Sequence, residues 1–202
     1  MARIEAGMFD MGGVVTSGNW YRPTVREIAW NRDLSIEQVQ KAWKEITPAL
    51  ATGKISEEEH WKRYPKGPNA KPLPKESLFL REFRRRFKPY AGTMDLLRRI
   101  KENGLSLAVI SNTLEVHVRF LDEKGILDPF DVKVLSNEVG VEKPDPRVWE
   151  IALERLGVEP KQAFYVDDRE DLLHTPAKMG IEIVWYRKQT QLRRDLKSLG
   201  VL

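Results

Sequence analysis

Asp10 closes the apolar run of MFDMGGVV (residues 8–15), and an acidic pair, Asp167–Asp168, closes AFYVDD (163–168). Between them in the chain, LAVISN ends on Ser111 and Asn112, and Lys143 stands in VGVEKPDP. Each apolar run reads as a strand delivering a polar residue at its carboxyl end. In an open parallel sheet those ends share one crevice, and ligands bind there. Three carboxylates gathered in it repel one another unless a hard divalent cation lies among them, and oxygen donors suit Mg²⁺. With a lysine and a hydroxyl alongside, the set becomes a phosphoryl site. Metal and ammonium neutralise the anion, while Ser111 and backbone amides fix it. A helix starting near Leu114 would aim its N-terminus at the same place.

Each residue also has a plainer reading. Lys143, beside Pro144 and near Pro146, fits a solvated turn. Asp167–Asp168 and Ser111–Asn112 both fit helix N-caps. His60, His117 and His174 lack metal-site spacing, and the six tryptophans read as packing residues. Neither a Walker A sequence nor G-x-G-x-x-G occurs, so nothing supports a nucleotide held by those loops.

The elements that must position these residues follow a regular rhythm. Strand-like runs at 105–112, 131–136, 163–168 and 181–186 alternate with helical spacing over 114–124, 146–156, 172–179 and 189–199. The strands are continuously apolar, as expected when helices cover both faces of a parallel sheet. Gly104, Gly125, Gly157 and Gly180 fall where helices should end. The expected fold class is α/β, a doubly wound parallel sheet.

Residues 16–88 break that rhythm. Pro23 opens a helical stretch, and Ser35-x-x-Gln38 and Ser56-x-x-Glu59 are capping boxes. A Pro/Lys-rich loop, PKGPNAKPLPK (65–75), precedes helical spacing at 76–87. The division expected is a core of 1–15 and 89–202 with an all-helical insertion at 16–88.

The 202 residues suffice for one core with such an insertion. No apolar run is long enough for a bilayer, no secretion signal is visible and cysteine is absent, so a cytoplasmic location is expected. The net charge of +4 suits an anionic partner. Its densest run, REFRRRFK (81–88), places Phe83 and Phe87 four apart and so reads as a helix with a solvated basic face. No nucleic-acid motif accompanies it. The oligomeric state is not legible.

Together, FDMGGVV, VISN, EVGVEKPDPRVWEIALERLGV and FYVDDREDLL resemble the haloacid dehalogenase superfamily of phosphohydrolases in order and spacing. The helical insertion resembles that family's C1 cap, and GKISEEEHW (53–61) is similar to cap sequence from the branch containing the phosphatase domain of soluble epoxide hydrolase. The resemblance implies an Mg²⁺-dependent phosphatase acting on a small phosphorylated metabolite. Asp10 would be the nucleophile that forms an aspartyl-phosphate. Ser111 and the Asn112 amide would hold phosphoryl oxygens, and Lys143 would bridge phosphate and nucleophile. Asp10, the Gly12 carbonyl and Asp168 would ligate Mg²⁺, with Asp167 close by or acting through water.

Gly12 departs from the pattern. Most phosphatases of the family carry a second aspartate there, whose side chain protonates the leaving group and then activates water. Glycine keeps the carbonyl and loses the acid, a change worth ~10²–10⁴ in rate for a general acid or base. His60 or one of Glu57–Glu59, within the insertion, would be the replacement to look for. Two other readings stay open: 2-haloacid dehalogenation with Asp10 attacking carbon, and a phosphate-binding module with little turnover.

Overall fold

A computed structural model describes residues 3–202. Its sheet contains β1 (Ala6–Phe9), β2 (Ser106–Ser111), β3 (Val132–Leu135), β4 (Ala163–Asp167) and β5 (Glu182–Trp185). All neighbours run parallel in the order β3-β2-β1-β4-β5. The helices are α1 (Tyr21–Arg32), α2 (Ile36–Ala51), α3 (Glu57–Arg63), α4 (Leu78–Arg86), α5 (Ala91–Glu102) and α6 (Glu115–Glu123). After them come α7 (Ser136–Val139), α8 (Arg147–Leu156), α9 (His174–Lys178) and α10 (Gln189–Ser198).

The strands' side chains alternate between two cores. Phe9, Leu107, Val109, Phe164 and Val166 pack with Leu96 and Ile100 of α5 and Leu192 and Leu196 of α10. Met8, Ala108, Ile110 and Tyr165 face the other way, onto Trp149 and Leu153 of α8 and Leu173. Helices cover both faces, which explains why the strands lack polar alternation. Gly104, Gly125, Gly157 and Gly180 all adopt positive φ. At Gly157 this left-handed residue ends α8 before the chain returns to the sheet.

Helices α1–α4 surround a core of their own, with Val25, Ile28, Val39, Leu50, Trp61, Tyr64 and Phe79 buried together. Both capping boxes form. In α4, Phe83 is buried while Arg81 pairs with Glu27 and Glu76, and Arg85 and Arg86 pair with Glu82. Among the described residues no helix is long and apolar enough to cross a membrane.

Two expectations need correction. The strand expected over 131–136 stops at Leu135, because the Ser136 hydroxyl receives the Thr113 amide at 2.9 Å and lies 2.7 Å from the Ala51 carbonyl. Ser136 therefore starts α7, and Lys143 follows this short helix rather than the strand directly. The helix expected over 172–179 is split into a 3₁₀ turn, Glu170–Leu172, and α9. Pro176 fits the late start, since proline lacks the amide an interior turn needs and sits well in the first turn of α9.

Candidate active site

In β4, Tyr165 and Asp167 are two residues apart and so share a face. Strand β1 places Met8 beside Tyr165 and Phe9 beside Val166, and the Asp10 amide donates to the Val166 carbonyl at 2.8 Å. Asp10 therefore continues the register opposite Asp167, at the junction where strand order reverses. From the loop between α7 and α8, the Lys143 ammonium reaches across both strand ends. It donates to Asp10 Oδ1 at 2.5 Å, to Asp167 Oδ2 at 3.0 Å and to the Tyr165 hydroxyl at 3.0 Å. The Tyr165 hydroxyl in turn donates to Asp167. Lys143 is 5% exposed, so it is no solvated turn lysine.

Asn112 explains how that lysine is aimed. Its side-chain oxygen accepts the Lys143 amide at 2.8 Å, and its side-chain nitrogen donates to the Lys143 carbonyl at 3.0 Å. The expected contribution of Asn112 was its backbone amide; its side chain gives a two-point grip on the lysine's own peptide groups. Neither residue of Ser111–Asn112 caps α6, whose N-cap is Leu114 without a side-chain bond. Ser111 ends β2 and lines the same cavity as Asp10 and Lys143. Asp167 accepts the Arg169 amide at 2.9 Å, but its other oxygen is committed to Lys143 and Tyr165.

Asp168, the residue after β4, joins the group. Carboxylate oxygens of Asp10, Asp167 and Asp168 lie within 4.8 Å of one another. Gly13, at φ +97°, lies so close to Asp168 that an added Cβ would stand 2.3 Å from its carboxylate. Gly13→Ala is therefore expected to cost ~1–3 kcal/mol through strain at that φ, measured by urea unfolding. An unchanged midpoint would remove the constraint. Gly12 is different: its φ is not positive, and a Cβ there would meet only the Gly18 Cα, at 3.8 Å.

Charge is unbalanced in this cluster. Burial pushes the Asp10 carboxyl up to about 7, Lys143 pulls it down, and Asp167 adds to the rise. Burial and the Asp167 charge also raise Asp168. Burial opposes the Lys143 ammonium, but Asp10 and Asp167 outweigh it and raise its pKa above the usual lysine value. Three carboxylates face one ammonium, so an oxygen-loving cation fits the donor set.

The cavity over these groups measures about 150 Å³ and is also lined by Gly12, Trp20, His117 and Arg169. His117 is buried, stacks on Phe83 at 4.2 Å and lies 3.3 Å from the Phe79 carbonyl through Nε2. Burial drives its pKa down to about 4, so the ring is neutral with its proton on Nε2. The insertion's candidate proton donors lie elsewhere. His60 is buried against Thr47, Glu57 accepts from Trp61, Glu58 pairs with Lys62, and Glu59 closes a capping box.

A family model for haloacid dehalogenase-like hydrolases matches residues 4–171. The chain belongs to this hydrolase family. Over 85 residues it is 40% identical to a glyceraldehyde 3-phosphate phosphatase of Methanopyrus kandleri, covering 42% of this chain and only 36% of that one. A Mycobacterium tuberculosis phosphatase is 28% identical over 216 residues, covering 98% and 96% of the two chains. Among solved structures, a family enzyme of Bacteroides thetaiotaomicron in complex with magnesium and inorganic phosphate superimposes with a TM-score of 0.74. That pair is 20% identical, with 91% and 94% of the chains covered.

Three residues of this hydrolase's site escape a reading of strand ends: Trp20 and His117, which line the cavity, and Tyr165, which bonds Lys143 and Asp167 beneath it. Tyr165 carries a signal in retrospect, because a polar tip two residues before Asp167 must share its face. Trp20 and His117 carry none. They meet only because α4 packs on α6, which places Phe83 against His117 and Trp20, the rings of the last two being 4.7 Å apart.

Proposed function

We propose that this hydrolase is an Mg²⁺-dependent phosphatase of small phosphorylated metabolites that works through an aspartyl-phosphate at Asp10. The observation that carries this reading is the buried Lys143–Asp10–Asp167 arrangement, with Asp168 within carboxylate reach, at the carboxyl end of the sheet. Mg²⁺, when held by Asp10, the Gly12 carbonyl, Asp168 and Asp167 directly or through water, would offset the charge on the phosphoryl oxygens.

The chain's own groups divide the remaining work. A carboxylate oxygen of Asp10 attacks phosphorus, and the bond to the leaving oxygen breaks. Lys143 holds Asp10 in position and draws charge from a phosphoryl oxygen, its own place fixed by Asn112. Ser111 and the Asn112 amide bind further oxygens. Water then attacks the aspartyl-phosphate and regenerates Asp10. Residues 16–88 serve as a C1-type cap over the crevice, and the absence of cysteine suits a cytoplasmic enzyme. Dehalogenation is the weaker reading, because attack on carbon has no use for three clustered carboxylates. The deciding assay is phosphate release from a generic aryl phosphate with and without Mg²⁺. No metal-dependent release would overturn the reading.

The ligand set has a separate test. At a hundredfold excess over its dissociation constant, Mg²⁺ should raise the melting temperature of the wild type by about 5–10 °C. Asp171→Ala should behave alike, because Asp171 lies in the 3₁₀ turn and pairs with Arg169 in solvent. Asp168→Ala should lose most of the shift. Equal shifts in the two variants would remove Asp168 from the ligands.

A further inference from the structure

A second cavity, of about 410 Å³, adjoins the first and shares Trp20, Asn112, Thr113 and Arg169 with it. A group attached to a phosphoryl over Asp10 would extend into it. Trp20, Tyr21 and Trp43 form one aromatic wall: Tyr21 meets Trp43 edge-on at 5.0 Å, and Trp20 meets Trp43 at 6.2 Å. These rings pack on one another, so they offer a surface to a flat group instead of enclosing an ammonium. Among the described residues, Glu142 and Arg169 are the only charged ones lining the same space, one of each sign. An apolar cavity of about 150 Å³ admits one benzene ring. The larger space accommodates a substituted or fused ring.

The second line of evidence is Gly12. None of the carboxyl or imidazole groups lining the cavity over Asp10 is free to act as the acid. Asp10 and Asp167 are bound to Lys143, and His117 is neutral with its proton turned to Phe79. A leaving oxygen must then depart as an anion, which phenoxides do far more readily than alkoxides.

We infer that the substrate is the phosphate ester of a phenol-type alcohol, its ring lodged against Trp20, Tyr21 and Trp43. This inference rests on the phosphatase reading and narrows it. Asp10 forms the new phosphorus–oxygen bond, and the aryl oxygen leaves with the electron pair and takes its proton from water. A second water releases the phosphate, so aryl phosphate and water give phenol and inorganic phosphate.

The test pairs phenylphosphonate with methylphosphonate, neither of which is hydrolysed, in tryptophan-fluorescence titrations of the Mg²⁺-loaded wild type. Phenylphosphonate should bind at least about tenfold tighter. In parallel, kcat/KM is measured for phenyl phosphate and acetyl phosphate. Trp43→Ala should lower the phenyl-to-acetyl ratio about tenfold, mainly through KM, and Trp43→Phe should restore most of it. Equal phosphonate affinities with both phosphates hydrolysed would overturn the ring assignment and leave the phosphatase standing. No hydrolysis of either phosphate would overturn the phosphatase reading and the substrate class together.

Discussion

Asp10→Asn is expected to reduce metal-dependent phosphate release by on the order of 10⁴-fold or more while the protein stays folded. The amide keeps the side chain's shape but cannot attack phosphorus. Folding should survive because Lys143 retains Asp167 and Tyr165 as partners. The substitution should even flatten the pH dependence of stability in the chelated protein. In the native chain Asp10 holds its proton up to about pH 7, whereas an unfolded aspartate loses it near its ordinary value of 3.8. Between those values the folded state binds more protons, so wild-type stability falls as pH rises through that window. Asparagine has no such proton. Urea midpoints across pH 4–8 in a chelator, with phosphate-release assays on both proteins, check the two halves. Near-normal turnover by Asp10→Asn would end the covalent mechanism.

The second large effect concerns Gly12. Rates across a series of phosphate esters should depend steeply on leaving-group pKa, with aryl, acyl and anomeric phosphates cleaved ~10²–10⁴ times faster than primary alkyl ones. The aspartyl-phosphate should also break down slowly, since no carboxylate at position 12 activates the water. An early burst of alcohol product would show it. Gly12→Asp should flatten the series and remove the burst. The backbone permits it, because φ at Gly12 is not positive and the nearest atom to an added Cβ is 3.8 Å away. A flat series in the wild type would mean that another acid reaches the leaving oxygen. Glu142 would then be the residue to examine, since it lines the adjoining cavity and burial raises its carboxyl pKa.

What could be read from sequence followed the physics of parallel strands. An apolar run buried on both faces that ends in Asp10, Ser111 or Asp167 leaves little choice about where the polar residue lies. The same reasoning could find Lys143 but not say what holds it. That depends on Asn112 gripping a peptide 31 residues away, and no local pattern encodes that contact. The family resemblance implies only a backbone task for Asn112, its amide holding phosphoryl oxygens beside Ser111. The cavity walls were less legible still. Trp20 and Trp43 look like packing residues, and they do pack, yet both line a cavity; His117 lines one too, where α4 lies on α6. His60 drew attention as a polar residue in the insertion, but its ring is buried among Trp61, Tyr64 and Phe79.

Strand β1 occupies the middle of the sheet, and this has a consequence for how the chain matures. Ala6 pairs with Ser106 on one side and with Ala163 on the other. A ribosome makes the strand's four residues long before either neighbour exists. During that interval the segment has two open edges and an apolar surface, the condition in which nascent chains stick to one another. Helices α1–α4 emerge next, and most of the apolar residues they bury together are made before β2. Asp10, at the end of β1, thus waits until the last partner strand arrives. Substitutions that weaken pairing at Ser106 or Ala163 should therefore reduce the yield of soluble protein during synthesis more than they lower the stability of molecules that have already folded.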